Sequence, residues 1–197
     1  MAQLKMYRLA GTPFEKPELP EGYSVSNYKT DADKLAWVEC CKNGLVGDDA
    51  TAQAFDDAIL GRKEVVPEKD VFFLDYLGEH IGTVTAYVHE KEGFGDMHMV
   101  GIKTEFRGRG LAKILNWITF DHLEHTDAPF IELTTDEWRI GAVKSYLNGG
   151  FLPVEYDEGM EERWAKVLET YGIDSVQMLN EDATPYKVIY REGLHKS

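Results

Sequence analysis

Residues 71–88 read VFFLDYLGEHIGTVTAYV. Val71–Leu77 is a nearly continuous apolar and aromatic run, the pattern of a buried strand. Gly78, Glu79 and His80 make a turn, and Ile81–Val88 is rich in β-branched residues. Two such runs about a glycine turn spell a β-hairpin, so the core forms around a sheet.

The flanking segments add helices and more strands. Gly22–Tyr28 alternates and reads as a strand. Asp31 or Asp33 caps a helix carrying Leu35, Trp37 and Val38, which Gly44 and Gly47 end. Ala50–Leu60 reads as a second helix, with Gly61 as its stop. Met97–Ile102 is a strand. From Leu111, the residues Leu111, Leu115, Ile118 and His122 share one helical face, with Ile114 beside it. Phe130–Thr134 is a strand and Gly141–Asn148 a helix. Phe151–Tyr156 is a strand in which Pro153 favours an edge or irregular position. Residues 159–171 put Met160, Trp164, Val167, Leu168 and Tyr171 on one stripe. The remainder is polar except Tyr186–Tyr190, an edge strand, while Leu4–Leu9 is a short strand ahead of a Pro-spaced connection. Hairpins followed by β-turn-helix-β give a mixed, mostly antiparallel α/β (α+β) sheet flanked by helices, not a doubly wound parallel one. The organisation is an N-terminal extension over 1–21, a domain over 22–171 and a C-terminal extension over 172–197.

Charge narrows the function. The chain carries 21 Lys and Arg against 35 Asp and Glu, a net of -14. Nucleic-acid binding concentrates the opposite sign, and a polybasic membrane patch does too. An acidic chain can draw cations, amines included, or its charge serves only to keep it in solution. Cys40 and Cys41 are adjacent, too strained for a bridge to each other, and no Cys/His spacing of a metal site occurs. The start lacks signal-peptide form and no run approaches membrane length. These features point to a cytoplasmic protein without a metal, a nucleic-acid partner or a membrane partner.

Met97–Ala112, MHMVGIKTEFRGRGLA, carries the chemistry. A strand, a turn with two glycines and an amphipathic helix place several backbone N–H groups at a helix N-terminus, which suits phosphate oxygens. Arg107 and Arg109 add local positive charge. The turn is too short for a Walker loop and has Lys113 where a dinucleotide fingerprint needs its third glycine.

The remaining pattern is Arg107, Gly110 and Ala112 in the order Arg-x-x-Gly-x-Ala. It resembles the pyrophosphate loop of the GCN5-related N-acetyltransferase (GNAT) family. The context agrees: Val100-Gly101-Ile102 before it, Leu77–Gly82 in the preceding hairpin, and Ser145-Tyr146-Leu147-Asn148-Gly149-Gly150-Phe151 after it. The resemblance covers about residues 22–156. It implies the acyl-coenzyme A N-acyltransferase fold and acetyl-coenzyme A as co-substrate. Its pyrophosphate would meet the amides of Gly108, Arg109, Gly110, Leu111 and Ala112, with Arg107 opening the loop. Its pantetheine arm would pair with the backbone around Val100, Gly101 and Ile102, as an added strand does. That arrangement requires the family's fourth and fifth strands to splay apart.

The resemblance also implies roles. A backbone amide near Val100 would face the thioester oxygen, and Tyr146 would protonate the leaving thiolate, its ordinary pKa near 10 suiting an acid. The base is open among Asp96, His98 and Glu132. By the period of two, Asp96, His98, Val100 and Ile102 share one side of the strand. Arg139 stands where the family often has Asn; it reaches the 3′-phosphate or lies in solvent. The reaction implied is direct acetyl transfer to a primary amine of a small molecule or peptide in a ternary complex. The alternative is a non-catalytic acyl-coenzyme A binding or sensing module. A homodimer through the terminal segments is a further expectation.

Overall fold

A computed structural model of the chain describes residues 2–42 and 44–194. The outermost positions of both expected extensions, 1 and 195–197, fall outside the described residues. The chain forms two compact units. One is the continuous stretch 13–129, and the other joins the two ends, up to residue 12 and from residue 130 on.

The continuous unit is a sheet of four antiparallel strands in sequence order. These are β2 (Tyr23–Asn27), β3 (Val71–Tyr76), β4 (Glu79–Val88) and β5 (Gly95–Ile102). The hairpin read from residues 71–88 is β3–β4. Its tight turn sets Leu77 at φ 51° beside Gly78 at 84°. Between β2 and β3 lie α1 (Ala32–Cys41), α2 (Gln53–Phe55) continuing into a π turn (Asp56–Leu60), and the one-turn α3 (Pro67–Asp70). Trp37, Val38, Cys41, Phe55 and Ile59 from these helices pack with Val71, Phe73 and Tyr87 of the sheet. Leu35, expected on that apolar face, is 58% exposed. The helix turns Trp37, Val38, Cys40 and Cys41 inward, and Leu35 falls off that arc. After β5 comes α4 (Ala112–Leu123), whose Leu111, Ile114, Leu115 and Ile118 are buried as its periodicity requires. His122 on the same face meets Asp70 at 3.2 Å.

The second unit contains β1 (Leu4–Leu9), β6 (Phe130–Thr135), α5 (Ile140–Asn148), β7 (Leu152–Glu155), α6 (Met160–Tyr171), β8 (Ser175–Asn180) and β9 (Pro185–Tyr190). Its strand order is β6-β1-β7-β8-β9. β1 is an inner strand. It runs antiparallel to β6, from Leu4 opposite Thr135 to Leu9 opposite Phe130, and pairs β7 on its other side. Pro153 is not at an edge, because β7 lies between β1 and β8. The proline is tolerated because the ladder to β8 starts only at Val154. β8 was unexpected from its polar composition, yet Met178 and Leu179 are buried. β9 is the terminal strand of this sheet. α6 buries Met160, Trp164, Val167 and Leu168, the stripe read from spacing.

Candidate active site

The turn between β5 and α4 begins with a single 3₁₀ turn, Thr104–Phe106. Gly108 and Gly110 follow with φ of 74° and 73°, and a Cβ on either would meet open space. The glycines are thus needed for backbone conformation, which L side chains resist. None of the described backbone bonds is donated by residues 108–112. These amides precede a helix whose first turn has no internal acceptors, a cradle suited to anionic oxygen.

Arg107 does more than add charge. Its Nε donates to the carbonyl of Ile102 at 2.8 Å and its Nη2 to that of Lys42 at 3.0 Å. The side chain therefore ties the loop to the end of β5 and the residue closing α1. Arg109 donates to the Glu105 carbonyl at 2.9 Å and lies over the Phe106 ring, 4.8 Å from its centroid.

β5 is not regular. His98 pairs Thr85 and Gly101 pairs Thr83, so Met99 and Val100 together oppose Val84. This is a β-bulge, with Met99 at φ 53°. The extra residue reverses the alternation. Asp96 and His98 share a face with Gly101, not with Ile102 as a period of two requires. That face looks at α1: a Cβ on Gly101 would stand 2.5 Å from the Cys40 carbonyl oxygen. The bulge interrupts the ladder at Val100, where resemblance puts the oxyanion donor.

Asp96 and His98 belong to a polar cluster. Arg62, just beyond the π turn, donates through Nε to His98 Nε2 at 3.1 Å and through Nη1 to the Tyr87 hydroxyl at 3.1 Å. Tyr87 donates to Asp96 Oδ2 at 2.9 Å, and His89 Nε2 lies 3.0 Å from the same oxygen. Burial, then the Arg62 charge, pushes His98 down to about 4, with Asp96 opposing. Burial and the Asp96 carboxylate raise Tyr87 above its ordinary range. Arg62, Tyr87 and His89 were not singled out from sequence. Tyr87 and His89 do continue one face by the period of two, but nothing local ties Arg62 to them.

In the second unit, Tyr146 lies on α5 and is buried, its ring edge-on to Phe151 at 5.9 Å. Burial raises its hydroxyl to about 12, with Arg139 working the other way. Arg139 precedes α5, pairs with Asp136 at 3.2 Å and stacks over Trp138. Glu132 lies across from Tyr7 in the β1–β6 register. Burial, followed by the Glu132 and Glu181 charges, keeps Tyr7 protonated.

Among the described residues, no group of three His, Cys, Asp or Glu side chains could hold a metal ion. No described helix is long and apolar enough to cross a membrane.

The family model "Acetyltransferase (GNAT) family" matches residues 5–151, so the chain belongs to that family. Its span takes in β1 as well as the β5–α4 loop. Among curated relatives, the mycothiol acetyltransferase of Streptomyces coelicolor is 30% identical over 157 residues, covering 76% of this chain and 49% of the relative. That of Frankia casuarinae is 28% identical over 183 residues, covering 84% and 51%. The chain spans about half the length of these relatives. Of the solved structures, a GCN5-related N-acetyltransferase from Sphaerobacter thermophilus aligns with TM-score 0.60 at 21% identity, covering 78% of this chain and 49% of that one. A tandem GNAT protein from the clavulanic acid biosynthesis pathway aligns with TM-score 0.55 at 15% identity, covering 77% and 50%. These two likenesses establish the fold.

Proposed function

We propose that this chain transfers an acetyl group from acetyl-coenzyme A to a primary amine of a small molecule or peptide, by direct attack. The observation that carries this reading is the β5–α4 turn. A bulged strand runs into two left-handed glycines and a helix whose leading amides are undonated. The relatives' names support the reaction class.

The amides of Gly108–Ala112 would hold the pyrophosphate, and the backbone around Val100, Gly101 and Ile102 the pantetheine arm. Bound acetyl-coenzyme A supplies the activated thioester carbonyl. Arg107 keeps the loop in shape through the Ile102 and Lys42 carbonyls. Tyr146, held protonated by burial, donates its proton to the departing sulfur and recovers one from solvent. Overall, an ammonium and a thioester become an amide, a thiol and one released proton. Asp96 and His98, with the cluster they belong to, would line the acceptor side. The net charge of -14 favours the approach of a cationic amine. The two cysteines are unpaired and buried, which supports a reducing compartment such as the cytoplasm.

Titration calorimetry with acetyl-coenzyme A tests the reading. Binding at micromolar to millimolar concentration supports it, and its absence sinks it. Binding without thiol release against any amine of a broad panel favours a sensing module instead.

A further inference from the structure

The two histidines of the β4–β5 face differ in where their lone pairs point. His98 Nε2 receives the Arg62 guanidinium at 3.1 Å and lies 3.3 Å from the Ala58 carbonyl oxygen, so a permanent cation stands at its accepting nitrogen. Protonation there would set imidazolium against guanidinium. His89 is arranged the other way. Every hydrogen bond described for its ring is on Nε2, with Asp96 Oδ2 at 3.0 Å and the Tyr87 hydroxyl at 3.3 Å. Tyr87 spends its single proton on Asp96. A carboxylate only accepts, so the proton between His89 and Asp96 sits on His89 Nε2. The lone pair of the neutral ring is then on Nδ1.

We propose that His89, oriented by Asp96, takes the proton from the acceptor ammonium. This rests on the acetyl-transfer reading above. The proton passes from the acceptor nitrogen to Nδ1, breaking one N–H bond and forming another, and the freed lone pair attacks the thioester. Asp96 then faces an imidazolium, which its charge stabilises. Tyr87 and Asp96 face His89 directly, with Arg62 and His98 behind them. The Phe94 ring closes one side at 4.4 Å. The His89 and Asp96 side chains are 21% and 17% exposed. Asp96 is a positioning residue here, and His98 with Arg62 forms the wall of the cluster.

Two measurements test this. Nitrogen-15 NMR of the histidine rings should show His89 as the Nε2–H tautomer at pH 8. An Nδ1–H tautomer overturns the assignment. In thiol-release assays with an accepted amine, His89→Gln should lower kcat/KM by about 100-fold or more and remove the acidic limb of the pH profile. His98→Gln should keep that limb. An active parent with an unchanged His89→Gln overturns this proposal alone. A parent that neither binds acetyl-coenzyme A nor releases thiol overturns the reading beneath it.

Discussion

Gly101 of β5 and Cys40 of α1 are in backbone contact: a Cβ at position 101 would lie 2.5 Å from the Cys40 carbonyl oxygen and 3.3 Å from the Cys41 Cα. Neither side of that contact is a flexible side chain. Gly101→Ala must push helix and strand apart, so a loss of about 3 kcal/mol is expected. Urea denaturation measures it. A variant as stable as the parent would show that α1 does not rest on β5.

Gly110 tests the loop separately from the core. Its φ of 73° costs an alanine about 1–2 kcal/mol, although no neighbour obstructs the side chain. The exposed turn can relax when nothing is bound, so melting temperature should hardly move. Acetyl-coenzyme A affinity should weaken by about tenfold, near 1.4 kcal/mol. Gly141→Ala, where nothing crowds the site and φ is ordinary, is the control. Equal affinities for both variants would dissociate the loop conformation from binding.

Tyr146→Phe removes one hydroxyl from an otherwise intact apolar face. Turnover should fall by about 10- to 100-fold, with acetyl-coenzyme A affinity nearly unchanged. A fall in affinity matching the fall in turnover would assign the ring to packing alone.

His98 makes the fold acid-sensitive. Its native pKa of about 4 lies below the ordinary 6.5, so the unfolded chain binds the proton first. Stability is therefore complete above about pH 6.5 and declines as pH falls toward 4, by about 2–3 kcal/mol in all. His98→Gln should flatten that part of the stability-against-pH curve. If the two curves stay parallel between pH 4 and 6.5, the buried imidazole is not the cause.

The legible parts of this molecule are those written in local periodicity. The β3–β4 hairpin, α4 and the α6 stripe follow from apolar spacing, and the Arg107–Ala112 pattern marks the loop. What escaped depends on contacts distant in sequence. β8 buries Met178 and Leu179 in succession, against the alternation expected of a half-buried strand. The bulge at Met99 leaves no compositional mark, since methionine seldom adopts a positive φ, yet it turns Asp96 and His98 away from the side holding Ile102. The Arg62–His98 bond joins residues 36 positions apart. It converts the histidine best placed by sequence into one whose basic nitrogen is already engaged.

The position of β1 has a consequence for biosynthesis. Leu4–Leu9 is translated before its partners, which are residues 130–135 and 152–153. Residues 13–129 are contiguous and can collapse while the rest is still being translated. β1 must wait through the translation of residues 10–129 before any of its ladder exists. Until then it is an apolar segment with unsatisfied edges, the kind of surface chaperones hold and aggregation exploits. Closing so long a loop favours late docking of β1 in folding.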